Sequence, residues 1–163
     1  MPIRRLAVPG ADWRLHVQTE PLPIGPWEWK KVDGARLDGF RPLGIMEILV
    51  ADDEPAVAVA VKSALKFFGH AAVTVSNGEA ALERVRAEPS RFSVVVSDHN
   101  MPGLGGYGLV RALRAAGYAG RIVIVSAFLS PEVEAQYREL GVDQILPKPF
   151  SIEGLRLALA GCR

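Results

Sequence analysis

The chain has 163 residues, 49% of them apolar and 23% charged, and carries a formal net charge of +1. That balance suits a folded globular chain rather than a disordered one, and it lends no electrostatic support to binding nucleic acid or an anionic membrane. No apolar run approaches the roughly 20 residues that span a bilayer, and the start lacks the apolar stretch of a secretory signal, so the cytoplasm is the expected address.

Residues 1–45 differ from the rest. They hold all three tryptophans (Trp13, Trp27, Trp29) and six of the twelve prolines. In "EPLPIGPWEWKK", Pro21, Pro23 and Pro26 interrupt both the helical and the strand period. The segment is expected to be an N-terminal extension with little regular structure, its tryptophans available to pack on the neighbouring domain or on a partner. Met46 stands directly before "EILVA", so an early start codon is the competing origin of the segment. At the other end the single cysteine, Cys162, can form no intrachain disulfide.

From Met46 to Arg163 the pattern is that of one domain. Short β-branched runs alternate with amphipathic stretches. "MEILVA" leads to a helix over Pro55–Phe68, and "AAVTV" to one over Glu79–Ala87. "FSVVVS" leads to Tyr107–Ala116, "RIVIVS" to Pro131–Leu140, and "QILP" to Ile152–Ala160. Runs such as "VVV" and "IVIV" are apolar on both faces, as in a parallel sheet covered by helices on each side. Pro55 and Pro131 suit the first turns of helices, and Ser130 and Ser151 suit N-caps. Gly69, Gly117 and Gly141 fall where the first, third and fourth helices should stop. Five βα units of this size make a small doubly wound α/β domain, with ligands expected beyond the carboxyl ends of its strands.

Those ends carry the chemistry. The first strand runs into Asp52 and Asp53, the third into Asp98, the fourth into Ser126, and the fifth into Lys148. Carboxylates crowded together need a cation, and an all-oxygen site suits Mg2+ or Mn2+. A lysine opposite them suits phosphate oxygens, as do a hydroxyl and the backbone N–H groups of "MPGLGG". No phosphate-binding loop of the G-x-x-x-x-G-K-[ST] type and no Ser/His pairing is present. A carboxylate is then the expected nucleophile, forming an aspartyl phosphate. Taken singly, each residue has a plainer explanation. Asp53 would be a charge at a helix N-terminus beside Pro55, Lys148 a solvated lysine, and Ser126 a strand end.

"ILVADDEP", "VVVSDHNMPGLGGY", "IVSA" and "PKPF", in that order, resemble the receiver domain of two-component response regulators over about residues 47–160. The resemblance implies a flavodoxin-like five-stranded parallel sheet of order 2-1-3-4-5. It implies that Asp98 accepts a phosphoryl group, that Asp53, Asp98 and the backbone carbonyl of Asn100 bind Mg2+, and that Asp52 does so through a water. Lys148 would pair with the phosphoryl group and Ser126 would hydrogen-bond one of its oxygens. The Lys148–Pro149 bond is commonly cis in the family. A histidine kinase or phosphotransfer protein would be the donor, and an unidentified protein, or a second copy in a homodimer, the reader. The output face would be the fourth helix, fifth strand and fifth helix.

Two features depart from the family. The usual aromatic three residues before the lysine is Ile145, which cannot swing a ring; Phe128 is a substitute candidate. The chain also ends directly after the fifth helix, so the signal is expected to leave through this domain, the extension or an assembly. Alternation along the third strand predicts His99 to be solvent-facing, and His70 is expected in a turn; neither is expected to bind metal. The domain is expected to act as a switch rather than as an enzyme with turnover. The rival readings are a phosphorylation-independent pseudo-receiver and an aspartyl-phosphate phosphatase. The latter would carry a second Asp where this chain has Asn100.

Overall fold

The computed structural model describes residues 44–161; the tryptophans, Cys162 and all but the last two residues of the expected extension lie outside them. Five strands and five helices alternate strictly. They are β1 (Glu47–Ala51), α1 (Pro55–Phe67), β2 (Ala71–Val75), α2 (Gly78–Ala87), β3 (Val94–Asp98), α3 (Gly106–Ala115), β4 (Arg121–Ser126), α4 (Pro131–Glu139), β5 (Gln144–Pro147) and α5 (Ile152–Gly161). All pairings are parallel and the sheet order is 2-1-3-4-5.

Side chains alternate across this sheet and feed two apolar layers. Ile48, Val50, Val94, Val96, Val123 and Val125 pack with α1 and α5. Leu49, Val95, Ile122 and Ile124 pack on the other face with residues of α2, α3 and α4. Each fully buried Ile, Leu or Val in these layers contributes about 1.5–3 kcal/mol relative to exposure. The central strand β3 is buried along its whole length, which is why its run reads as continuously apolar.

Helix boundaries follow local chemistry. Ser130 Oγ accepts from Val133 N at 3.4 Å and Ser151 Oγ from Gly154 N at 3.0 Å, as their positions predict. Asn77 was not expected as a cap; its Oδ1 accepts from Ala80 N at 2.8 Å, which starts α2 one residue earlier than Glu79. After α1, α3 and α4 the chain turns through Gly69 (φ 84°), Gly117 (φ 79°) and Gly141 (φ 70°). At each, paired backbone bonds close the end, for example Gly141 N to Arg138 O and Val142 N to Tyr137 O. Arg114 ties the far ends of α3 and α4 together, donating to Tyr118 O at 2.7 Å, Gly120 O at 2.9 Å and Gly141 O at 2.6 Å.

His70 closes the turn that ends α1, its N–H donating to Leu65 O at 2.9 Å. It is buried at the amino edge of the sheet, and its Nδ1 accepts from Met46 N at 3.4 Å. Burial first, and then the Arg121 charge, hold its pKa below the usual 6.5. The unfolded chain therefore takes up this proton at a higher pH than the folded one. Its contribution is present above 6.5 and is lost as pH falls toward the folded value, levelling off below it. Thermal denaturation between neutral pH and about pH 5 is expected to show a steeper fall in Tm for the wild type than for His70→Gln.

Candidate functional site

Parallel strands bring their carboxyl ends to one edge, and the register there sets the site. Ala51, at the end of β1, lies opposite Ser97 of β3, and Asp98 lies opposite Val125 of β4. Ser126 in turn lies opposite Pro147 of β5, one residue before Lys148. The Lys148–Pro149 peptide is cis.

Two carboxylates and one ammonium meet at this edge. Asp52 and Asp98 are both buried, and Lys148 Nζ lies 2.8 Å from Asp98 Oδ1 and 3.3 Å from Asp52 Oδ2. The other oxygen of each carboxylate accepts a backbone N–H. Asp98 Oδ2 takes Asn100 N at 2.8 Å, and Asp52 Oδ1 takes Glu54 N at 2.9 Å. Both carboxylates are thus held from either side. Burial works to lower the Lys148 pKa, but the Asp98 hydrogen bond and the Asp98 and Asp52 charges outweigh it and hold the ammonium above its ordinary value.

The remaining residues stand differently. Ser126 is buried at the end of β4, and its hydroxyl donates to Phe128 O at 3.0 Å. Asp53 is exposed beside the buried pair, and so is Asn100, whose N–H rather than its carbonyl is engaged with Asp98. Among the described residues, no three His, Cys, Asp or Glu side chains converge into a metal-ligand group. The donors are nevertheless of the right kind. Asp52, Asp53 and Asp98 offer hard oxygen donors, and the single positive charge of Lys148 does not balance three carboxylates, a donor set that would suit Mg2+ rather than a softer ion.

His99 corrects the sequence expectation. Its ring is only partly exposed, and its Nδ1 lies 2.7 Å from the hydroxyl of Tyr137, a fully buried residue of α4. Alternation along β3 correctly turns His99 away from Asp98, but that side is covered by α4. Phe128 is 79% exposed, whereas Ile145 is half-buried against the layer that contains Tyr137.

The family profile of the response regulator receiver domain matches residues 48–160. The chain belongs to that family. It is 35% identical over 126 residues to the virulence sensor protein BvgS of Bordetella pertussis, covering 73% of this chain but only 10% of that protein. It is 32% identical over 121 residues to the two-component response regulator ORR41 of Oryza sativa, covering 73% of this chain and 95% of the relative. Among solved structures, the chemotaxis protein CheY4 of Vibrio cholerae superposes with a TM-score of 0.68 at 28% identity, covering 73% of this chain and 99% of that one. The receiver domain of the Francisella response regulator 1452 gives 0.64 at 30% identity, covering 71% and 96%.

Proposed function

We propose that this receiver domain is a phosphorylation-dependent signalling switch in which Asp98 accepts a phosphoryl group. The observation that carries the reading is the Asp98 carboxylate itself, fixed at a strand end between Lys148 Nζ and the Asn100 N–H. A carboxylate oxygen of Asp98 attacks the phosphorus of a phosphohistidine donor. The P–O bond forms as the P–N bond breaks, and the imidazole leaves with the electron pair. Lys148 stays paired with the charge that the carboxylate hands on, and Ser126, released from Phe128 O, can donate to a phosphoryl oxygen. Mg2+, held by Asp52, Asp53, Asp98 and the Asn100 carbonyl, would supply the balancing charge at the transferred group. Water attacking the aspartyl phosphate resets the site, so the chain acts as a switch without turnover of a diffusible substrate.

A histidine kinase or phosphotransfer protein is the donor that fits. An apolar groove of about 590 Å³ between α1 and α5 opens beside Lys148, with Ala56, Ala60, Pro149 and Ile152 exposed along it. Such a groove seats an amphipathic helix. No helix among the described residues is long and apolar enough to cross a membrane. The signal would leave through the α4, β5 and α5 face to a protein reader, with a second copy as one form of that reader.

Intact mass after incubation with acetyl phosphate tests the reading. The wild type is expected to gain one phosphoryl group only with Mg2+ present, and Asp98→Asn to gain none. An unmodified wild type under every condition would leave the pseudo-receiver reading, which Ile145 favours, in its place.

A further inference from the structure

Helix α4 is held differently from the helices around it. Four residues of α1, three of α2 and four of α3 are buried, but α4 buries only Tyr137. That side chain has no exposed surface and lies edge-on between two rings, His99 after β3 and Tyr107 of α3, each with its centroid 5.7 Å away. Its hydroxyl meets His99 Nδ1 at 2.7 Å. Burial, and after it the charges of Asp98 and Tyr107, push the Tyr137 pKa well above its ordinary value, so the hydroxyl keeps its proton at any physiological pH.

His99 sits next to Asp98, and its backbone is clamped on both sides. Its N–H donates to Val125 O of β4 at 2.9 Å, and its carbonyl accepts from Gly106 N at the start of α3, also at 2.9 Å. A change of charge or bonding at Asp98 therefore finds little freedom in the backbone at 99, and the ring is the part free to respond. We infer that the His99–Tyr137 hydrogen bond couples the state of Asp98 to helix α4, a route that does the work for which Ile145 is unsuited.

The inference rests on Asp98 as phosphoacceptor. Phosphorylation replaces one negative charge by nearly two beside a site whose charge already reaches the Tyr137 hydroxyl. A helix with a single buried anchor has a small free-energy gap between docked and loosened positions, so a made or broken hydrogen bond at that anchor shifts the population. The exposed residues of α4, among them Glu132 and Arg138, then present a different surface to a reader.

Hydrogen–deuterium exchange of residues 131–140, with and without acetyl phosphate and Mg2+, and with intact mass recorded on the same samples, tests the coupling. Wild-type exchange in this segment is expected to differ by at least about fivefold between the two states. Tyr137→Phe keeps the ring and removes the hydroxyl; it is expected to gain the phosphoryl group while losing the difference. His99→Phe, which keeps an aromatic edge, is expected to behave likewise, and His99→Asn, which keeps a polar atom near the Nδ1 position, to restore the response. The histidine pair decides the matter if Tyr137→Phe fails to fold. Phosphorylated Tyr137→Phe or His99→Phe with an unchanged wild-type difference would overturn the coupling, as would a phosphorylated wild type with no difference. A wild type that gains no mass overturns the phosphoacceptor reading and the coupling together.

Discussion

Lys148→Met is expected to lower the unfolding free energy by about 3 kcal/mol at neutral pH in chelator-treated protein, and to abolish any phosphorylation response of the α4 face. Among the described residues, the lysine is the one cation seen against the buried carboxylates of Asp52 and Asp98, at 3.3 and 2.8 Å. Methionine is an unbranched chain of nearly the same reach as the lysine stem, so most of the apolar contacts of the stem survive while the charge goes. What remains is a pair of buried carboxylates with no positive partner, the case in which breaking a buried pair costs most. Two measurements separate this from a packing defect. Added Mg2+ is expected to recover part of the loss in Lys148→Met, because a divalent cation can supply the missing charge. The pH dependence also has a definite sign. The folded pKa of Lys148 is raised above its ordinary 10.5, so its contribution is present in full below that value and is lost as pH rises through the folded pKa. The gap between wild type and Lys148→Met in urea denaturation is therefore expected to be constant across neutral pH and to close in strong alkali. A gap insensitive to both Mg2+ and alkali would mean that Lys148 acts through packing alone.

That site was legible in the sequence because each of its members ends a strand, and parallel strands can only bring their carboxyl ends to one edge. Asp52, Asp98, Ser126 and Lys148 needed no tertiary knowledge beyond alternation of strands and helices. The caps at Ser130 and Ser151 and the stops at Gly69, Gly117 and Gly141 were equally local, since each depends on a residue type and its immediate backbone. Boundaries slipped where a neighbouring strand had the last word. The run "FSVVVS" suggests a strand beginning at Phe92, but β3 begins at Val94. Phe92 turns into the α2/α3 layer, while Ser93 already bonds across to Glu47 O from its backbone N–H.

The cover over His99 and the burial of His70 were not legible in the sequence, for a shared reason. Alternation tells which side of a strand a residue faces, and a turn position tells where the chain bends, but neither tells what covers that side. The cover of His99 is Tyr137, supplied by a helix that starts more than thirty residues later in the chain, and the cover of His70 involves Met46, twenty-four residues earlier. A lone tyrosine among "PEVEAQYRE" was the available signal. Every other position of that helix is small, polar or only partly buried, so its one aromatic had to be the anchor.

Gly106→Ala is expected to be strongly destabilising, lowering Tm by about 10 °C, equivalent to about 3 kcal/mol. Gly106 opens α3 and donates its N–H to His99 O at 2.9 Å. A Cβ there would collide with the carbonyl oxygen of Asp98 and lie 2.9 Å from His99 Cα. Both are backbone atoms of a strand end bonded on either side, so neither can swing away as a side-chain tip would. Relief requires α3 to back off from β3, which disturbs Asp98 and His99 at once. Gly108→Ala is the matched control, two residues further into the same helix. Its Cβ would meet only the tip of the Leu104 side chain, at 2.6 Å from Cδ1, which can rotate aside. Replacing a helix-interior glycine gains about 0.5–1 kcal/mol, so that variant should be neutral or slightly stabilised. Differential scanning calorimetry on the two variants, with phosphoryl incorporation from acetyl phosphate followed in parallel, checks the pair. Equal stability would mean that the α3 start has room to move. The close seat of α3 on Asp98 and His99 would then not be what fixes the carboxylate in place.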